Sequence, residues 1–195
     1  MLERLLFYVA ILSCLLACSN KELSETAQKR APNILLIMAD DLGYGDIACY
    51  GNETIRTPNL DKLASRGVKF TDYHSNGVVC SPTRAALLTG NYQQRTGIEA
   101  VVTAKNHRHV GFQADLSLAA YFKEQHYKTG IIGKWHLGYD TLFSPLNNGF
   151  DYFKGFVSGN IDYHSHIDQE GYFDWWEDKD TLSESGYSTD LITSN

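Results

Sequence analysis

"LSLAAYFKEQHYKTGIIGKWHLG", residues 116–138, decides the fold class. Ser117 is placed to cap a helix whose inward side carries Leu118, Ala119 and Phe122. A short apolar strand follows over Lys128–Ile132, and Gly133 is placed to end it. Helix followed by buried strand is the unit from which α/β sheets are built. Lys134 and His136 come next at spacing two, which on an extended chain sets both side chains on one face. Taken alone, such residues beyond a strand belong to the surface. At the strand ends of a shared sheet they can converge with charged groups from other strands.

The partner groups stand near the front of the chain, in "NILLIMADDLGYGD", residues 33–46. Asn33–Ala39 is a continuous apolar run of strand length, the pattern of a parallel strand covered on both faces. It ends in Asp40 and Asp41. One aspartate there would cap the following turn; two adjacent ones repel, and a cation relieves the repulsion. "TPNLDKLASRG", residues 57–67, reads as a helix with Thr57 as cap, Pro58 in the first turn and Gly67 as stop. "VKFTDYH", residues 68–74, alternates like a strand. The expected architecture is therefore α/β, with a mostly parallel central sheet flanked by helices.

"CSPTRAALLTG", residues 80–90, then opens a helix at Cys80, with Ser81 as a possible cap, Pro82 in the first turn and Gly90 as stop. A helix N-terminus presents free N–H groups and a positive dipole end, both of which favour an anion. Arg84, one turn in, adds a fixed positive charge. The segment thus offers a reactive side chain beside an anion cradle.

The first residues read as export machinery. Residues 1–18 carry Arg4 and an apolar run from Leu5 to Leu16, too short for a bilayer that needs about 20 residues. Leu15-Leu16-Ala17-Cys18 resembles a bacterial lipobox, with Cys18 lipidated; a cut near Cys14 or plain signal cleavage are the alternatives. Residues 19–31 read as a polar tether and residues 32–195 as the domain. Two cysteines then remain in the mature chain, Cys49 and Cys80, and an exported compartment permits a bridge between them. The net charge of −6 lacks the basic excess of a nucleic-acid partner.

These motifs together resemble the type I sulfatases, in the alkaline phosphatase-like superfamily, from about Pro32 to at least Asp151. Cys80, Pro82 and Arg84 form the Cys-x-Pro-x-Arg core of the first sulfatase signature. "YKTGIIGKWHLG", residues 127–138, is similar to the second, and "NILLIMADDLGYGD" to the first strand and metal-binding pair. Val78 stands where the family has a small residue. His126 stands where a Gly ends the helix, so His126 has to adopt a left-handed conformation or the helix must end differently.

The resemblance implies that a formylglycine-generating maturase oxidises Cys80 to Cα-formylglycine, hydrated to a gem-diol. One diol oxygen attacks sulfur; the other is deprotonated and expels sulfate. It further implies one Ca²⁺ held by Asp40, Asp41 and the modified residue 80. Arg84 anchors the formylglycine, Lys134 contacts sulfate and the diol, and His136 deprotonates the second diol oxygen. Ser158, Asp162, His164 and His166 are candidates for lining a substrate pocket, Ser158 and His164 foremost. A His164–His166 metal pair is disfavoured, because no third ligand stands nearby. Residues 168–195 hold eight acids against one Lys and read as a solvated face, with Trp175 and Trp176 buried or at an edge.

The family completes its calcium site with a downstream Asp-Asn pair, and no such dipeptide follows His136. The chain is therefore expected to be the N-terminal part of a sulfatase carrying half a metal site, with little activity by itself. The substrate expected for the whole enzyme is a sulfate ester, foremost of a carbohydrate. The competing expectations are a phosphate- or phosphonate-ester hydrolase and a non-catalytic surface lipoprotein that binds ligand.

Overall fold

The computed structural model describes residues 31–107, 109–113 and 117–194. The expected signal and all but the last residue of the tether lie outside them. The chain divides into two units, one ending at Ala39 and one running from Asp40 to Asn195.

In the first unit, residues 31–39 form no strand and are exposed throughout, Leu35 at 85% and Ile37 at 74%. This corrects the expected buried strand. An apolar run becomes a strand when neighbours accept its backbone hydrogen bonds, and the described residues of this unit supply none by themselves.

In the second unit, among the described residues, four α-helices precede the four strands and one follows, so the expected helix–strand alternation is kept only where the helix after Ser117 leads into the strand at Gly130. Helix α1, Pro58–Arg66, has its proline in the first turn. Thr57 stands at its N-cap without capping it: the hydroxyl donates to Asp61 Oδ1 at 3.0 Å and accepts from Ala48 N at 3.0 Å. Residues 68–74 are exposed and form no strand, so that expectation too is corrected. Alternation specifies a strand only where a partner covers its apolar side.

Helix α2, Cys80–Thr89, buries Ala85, Ala86 and Leu88 and ends at Gly90, whose φ of 66° permits the left-handed stop. A one-turn helix α3, Ala104–His107, precedes α4, Leu118–Glu124. Ser117 caps α4, accepting from Ala120 N at 3.0 Å and donating to Asn148 O at 2.6 Å. His126 closes that region at φ 64°, the left-handed conformation its position requires. Helix α5 spans Ser188–Thr193.

Strand β1, Gly130–Lys134, pairs in parallel with β2, Tyr152–Phe156. It runs two residues further than its apolar pattern indicated, passing through Gly133 instead of ending there. Gly133 faces Gly155 across the pair, and a Cβ on Gly155 would collide with the Gly133 carbonyl oxygen. Two short antiparallel strands, β3 (Trp176–Glu177) and β4 (Asp180–Thr181), extend β2 and make the four-stranded sheet mixed.

The core gathers Ala85 and Leu88 of α2 with Ile98, Val102, Phe112, Trp135, Leu137 and Phe153. Trp135 is 1% exposed, meets Phe112 and Phe150 edge-on, and donates its indole N–H to Phe143 O at 2.9 Å. Burying an aromatic of this size stabilises a fold only when its N–H finds a partner, as here. Trp135 lies between Lys134 and His136, so the core anchors the backbone that carries both.

Candidate active site

Cys80 is the first residue of α2, two positions earlier than a Ser81 cap would give; Val79 takes the N-cap place. Ser81 is fully buried and its Oγ accepts from Val102 N at 3.1 Å. Thr83 closes the approach to the helix, donating to Gly77 O at 3.0 Å and Val79 O at 2.8 Å. Cys80 and Cys49 are both free thiols, so the bridge between them is not formed.

Three charged groups meet beside this helix start. Lys134 Nζ lies 2.7 Å from Asp40 Oδ2, and Arg84 Nη2 lies 3.6 Å from Asp40 Oδ1. Arg84 also donates through Nη1 to Lys134 O at 2.7 Å, tying α2 to the end of β1. Burial works against ionising Asp40, but the hydrogen bond and charge of Lys134, then Arg84, outweigh it and hold the carboxyl below its ordinary value. Burial lowers the Arg84 guanidinium, with Asp40 and Cys80 acting in opposition. Two cations against one carboxylate leave a local positive excess, and Arg84 Nε is buried with no partner among the described residues.

His136 sits behind this cluster, 3% exposed, at a backbone φ of 56°. That turn breaks the extended alternation, so Lys134 reaches Asp40 while His136 points inward. Its Nε2 lies 2.9 Å from Val102 O. A carbonyl only accepts, so Nε2 carries the proton and Nδ1 keeps its lone pair. Nδ1 is buried and has no hydrogen-bond partner among the described residues. Burial first, then the charge of Lys134, pushes the imidazole down to about 4, so it is neutral at pH 7.

Asp41 is exposed, with a left-handed φ of 54°. Among the described residues no three or more His, Cys, Asp and Glu side chains are grouped to hold a metal ion. Calcium takes six to eight oxygens, and Asp40 already answers two cations. The described residues therefore do not by themselves form a calcium site.

Ser158 and His164 have other contacts. Ser158 is 2% exposed; its Oγ donates to Asn160 O at 2.9 Å and its N–H to Asp174 Oδ2 at 2.8 Å. His164 is exposed beside Tyr187, their rings 5.5 Å apart, and Tyr187 stacks on Tyr163 at 5.0 Å. Asp162 organises its own turn, accepting from His164 N and Ser165 N. His166 is buried and stacks on Trp175 at 4.6 Å. An open groove of about 660 Å³ is lined by Tyr139, Tyr172, Phe173 and Trp176 among others, with none of Asp40, Cys80, Arg84, Lys134 or His136 in its walls.

Spacing does not mark Ser81 or Asp174 as buried supports: Ser81 reads as a possible cap and Asp174 as part of a solvated acidic run, yet they are 0% and 4% exposed. A buried carboxylate among surface ones leaves no trace in spacing or composition.

The profile of the Sulfatase family matches residues 32–194. Human arylsulfatase D is 43% identical over 163 residues, covering 75% of this chain and 26% of that protein. Human steryl-sulfatase is 43% identical over 152 residues, covering 71% of this chain and 26% of that one. Among solved structures, Ps i-CgsB superposes with a TM-score of 0.77 at 33% identity, over 84% of this chain and 40% of its own. PsFucS1 sulfatase from Pseudoalteromonas sp. gives 0.60 at 34%, over 73% and 29%. The α/β unit is thus shared with these solved structures. The chain belongs to the sulfatase family, and it spans about a quarter of the length of the curated relatives it matches.

Proposed function

We propose that this chain carries the nucleophile-bearing N-terminal part of a sulfuric ester hydrolase whose substrate is a sulfated carbohydrate. The observation that carries the reading is that Arg84, one turn into the helix that Cys80 begins, and Lys134 both meet the Asp40 carboxylate, with Cys80 among the groups acting on Arg84. A sulfuryl group in transfer is anionic, and preorganised positive charge is the main means of stabilising it. Arg84 and Lys134 are held in place before substrate arrives, so little reorganisation accompanies binding. His136, neutral with Nδ1 unprotonated, can accept a proton at that atom. Carbohydrate is the proposed substrate class because Ps i-CgsB has been solved in complex with k-i-k-neocarrahexaose at a TM-score of 0.77.

Residue 80 is proposed to act as Cα-formylglycine after oxidation by a maturase; the aldehyde hydrate supplies a nucleophile with a second oxygen for release of sulfate. Asp40 and Asp41 are proposed to contribute oxygens to a calcium site that needs further donors beyond the described residues, and no step here depends on it. Residues 1–18 are proposed to direct export to the periplasm or outer-membrane surface, with a lipid at Cys18 as anchor. Incorporation of labelled fatty acid, abolished in Cys18→Ala, tests the anchor.

The functional test begins at residue 80. After co-expression with a formylglycine-generating maturase, the tryptic peptide Phe70–Arg84 should show an aldehyde in place of the thiol by mass spectrometry. A panel of sulfate and phosphate esters, offered to the modified full-length protein, should then show turnover of sulfate esters. A thiol that stays unmodified, or turnover confined to phosphate esters, would sink the reading.

A further inference from the structure

Asp174 touches none of Asp40, Cys80, Arg84, Lys134 and His136, yet both its oxygens accept from one turn, with the Trp176 indole as a further donor. Oδ1 accepts from Val157 N at 3.0 Å and Trp176 Nε1 at 2.6 Å; Oδ2 accepts from Ser158 N at 2.8 Å. A carboxylate at 4% exposure is tolerated only when such charge-assisted bonds offset its desolvation. The segment it fixes leads to His136. Val157 O accepts from His136 N at 3.2 Å. Two residues on, Gly159 lies so close to the imidazole that a Cβ there would stand 2.8 Å from both Cε1 and Nε2. The ring is thus confined between the Gly159 backbone and the Val102 carbonyl.

We propose that Asp174 is a positioning residue for His136: by clamping the turn at residues 157–159 it keeps Nε2 on Val102 O and leaves Nδ1 as the proton-accepting nitrogen. The inference rests on the proposed role of His136 as proton acceptor, but its test does not. Asp174→Asn turns one accepting oxygen into a donor opposed to a backbone N–H. The readouts are the imidazole nitrogen shifts of His136 in isotope-labelled protein, which report the tautomer, and amide hydrogen exchange.

In Asp174→Asn, His136 should lose its single-tautomer signature, and exchange at Val157, Ser158 and His136 should speed by about tenfold or more. The Trp135 indole N–H should stay protected. Glu184→Gln is the control, since it disturbs a neighbouring network in which Glu184 accepts from Trp175 Nε1 at 3.0 Å and pairs with Lys154 at 3.2 Å. That variant should leave His136 unchanged. A retained tautomer in Asp174→Asn, or equal disturbance in Glu184→Gln, overturns the proposal. If Asp174→Asn fails to fold, Asp174→Glu keeps the charge but displaces the oxygens from Val157 N and Ser158 N, and an unmoved His136 in that variant overturns the proposal as well. Sulfate-ester turnover is scored separately, on the complete enzyme that contains this chain: its absence there would defeat the proposed function and leave the tautomer result standing.

Discussion

Lys134 Nζ meets Asp40 Oδ2 at 2.7 Å across 94 positions of sequence, and Arg84 reaches the same carboxylate from α2. One aspartate therefore balances two cations whose side chains are 11% and 13% exposed.

Removing that charge exposes the balance. Asp40→Asn should lower stability by about 1–2 kcal/mol, a figure already reduced for solvent screening at a half-exposed carboxylate. The same variant leaves Arg84 and Lys134 with unmatched charge, so sulfate should raise its melting temperature more than that of the wild type. Thermal unfolding with and without sulfate checks both; equal salt responses would contradict the account.

His136 sets a pH dependence whose sign follows from burial. The unfolded imidazole takes its proton near 6.5 and the folded one only near 4. Between those values the unfolded state binds more protons, so stability is full above about pH 6.5 and falls as pH drops toward 4. The loss is on the order of 3 kcal/mol. Melting curves of wild type and His136→Phe across pH 7 to 4 should diverge, with the wild type losing more over that window.

Ser117 joins two elements through one hydroxyl, accepting from Ala120 N and donating to Asn148 O. Ser117→Ala should cost about 1–2 kcal/mol, chiefly for the lost cap. Denaturant unfolding should show a lower midpoint with an unchanged slope.

Gly155→Ala should be the most damaging single methyl group. The position has φ of 145°, and the new Cβ would meet the Gly133 carbonyl oxygen. At least about 2 kcal/mol of destabilisation follows from strain alone, and loss of the soluble folded form at 37 °C would be consistent with it. A melting temperature within error of wild type would show that the strand pair yields more easily than its geometry implies.

Much of this was legible in the sequence because the information is local. Pro58 and Gly90 mark helix ends, Ser117 caps as its position dictates, and His126 adopts the left-handed turn demanded where glycine is absent. Cys80, Arg84 and Lys134 were named from motif spacing, and Arg84 and Lys134 meet at Asp40. What failed depended on distant partners. Residues 33–39 and 68–74 have strand patterns with no described strand to pair them. The inward turn of His136 follows from a left-handed backbone that spacing does not encode, and the burial of Asp174 from a turn some 16 residues away.

The Gly133–Gly155 contact also bears on how the protein can vary. Main chain rests on main chain there, and Lys134 follows one residue later. The spacing of the two strands just before that lysine is thus set by peptide planes, which leave no room for a side chain at position 155. Variation that preserves the spacing has to keep that glycine, whatever residues fill the interior around Trp135.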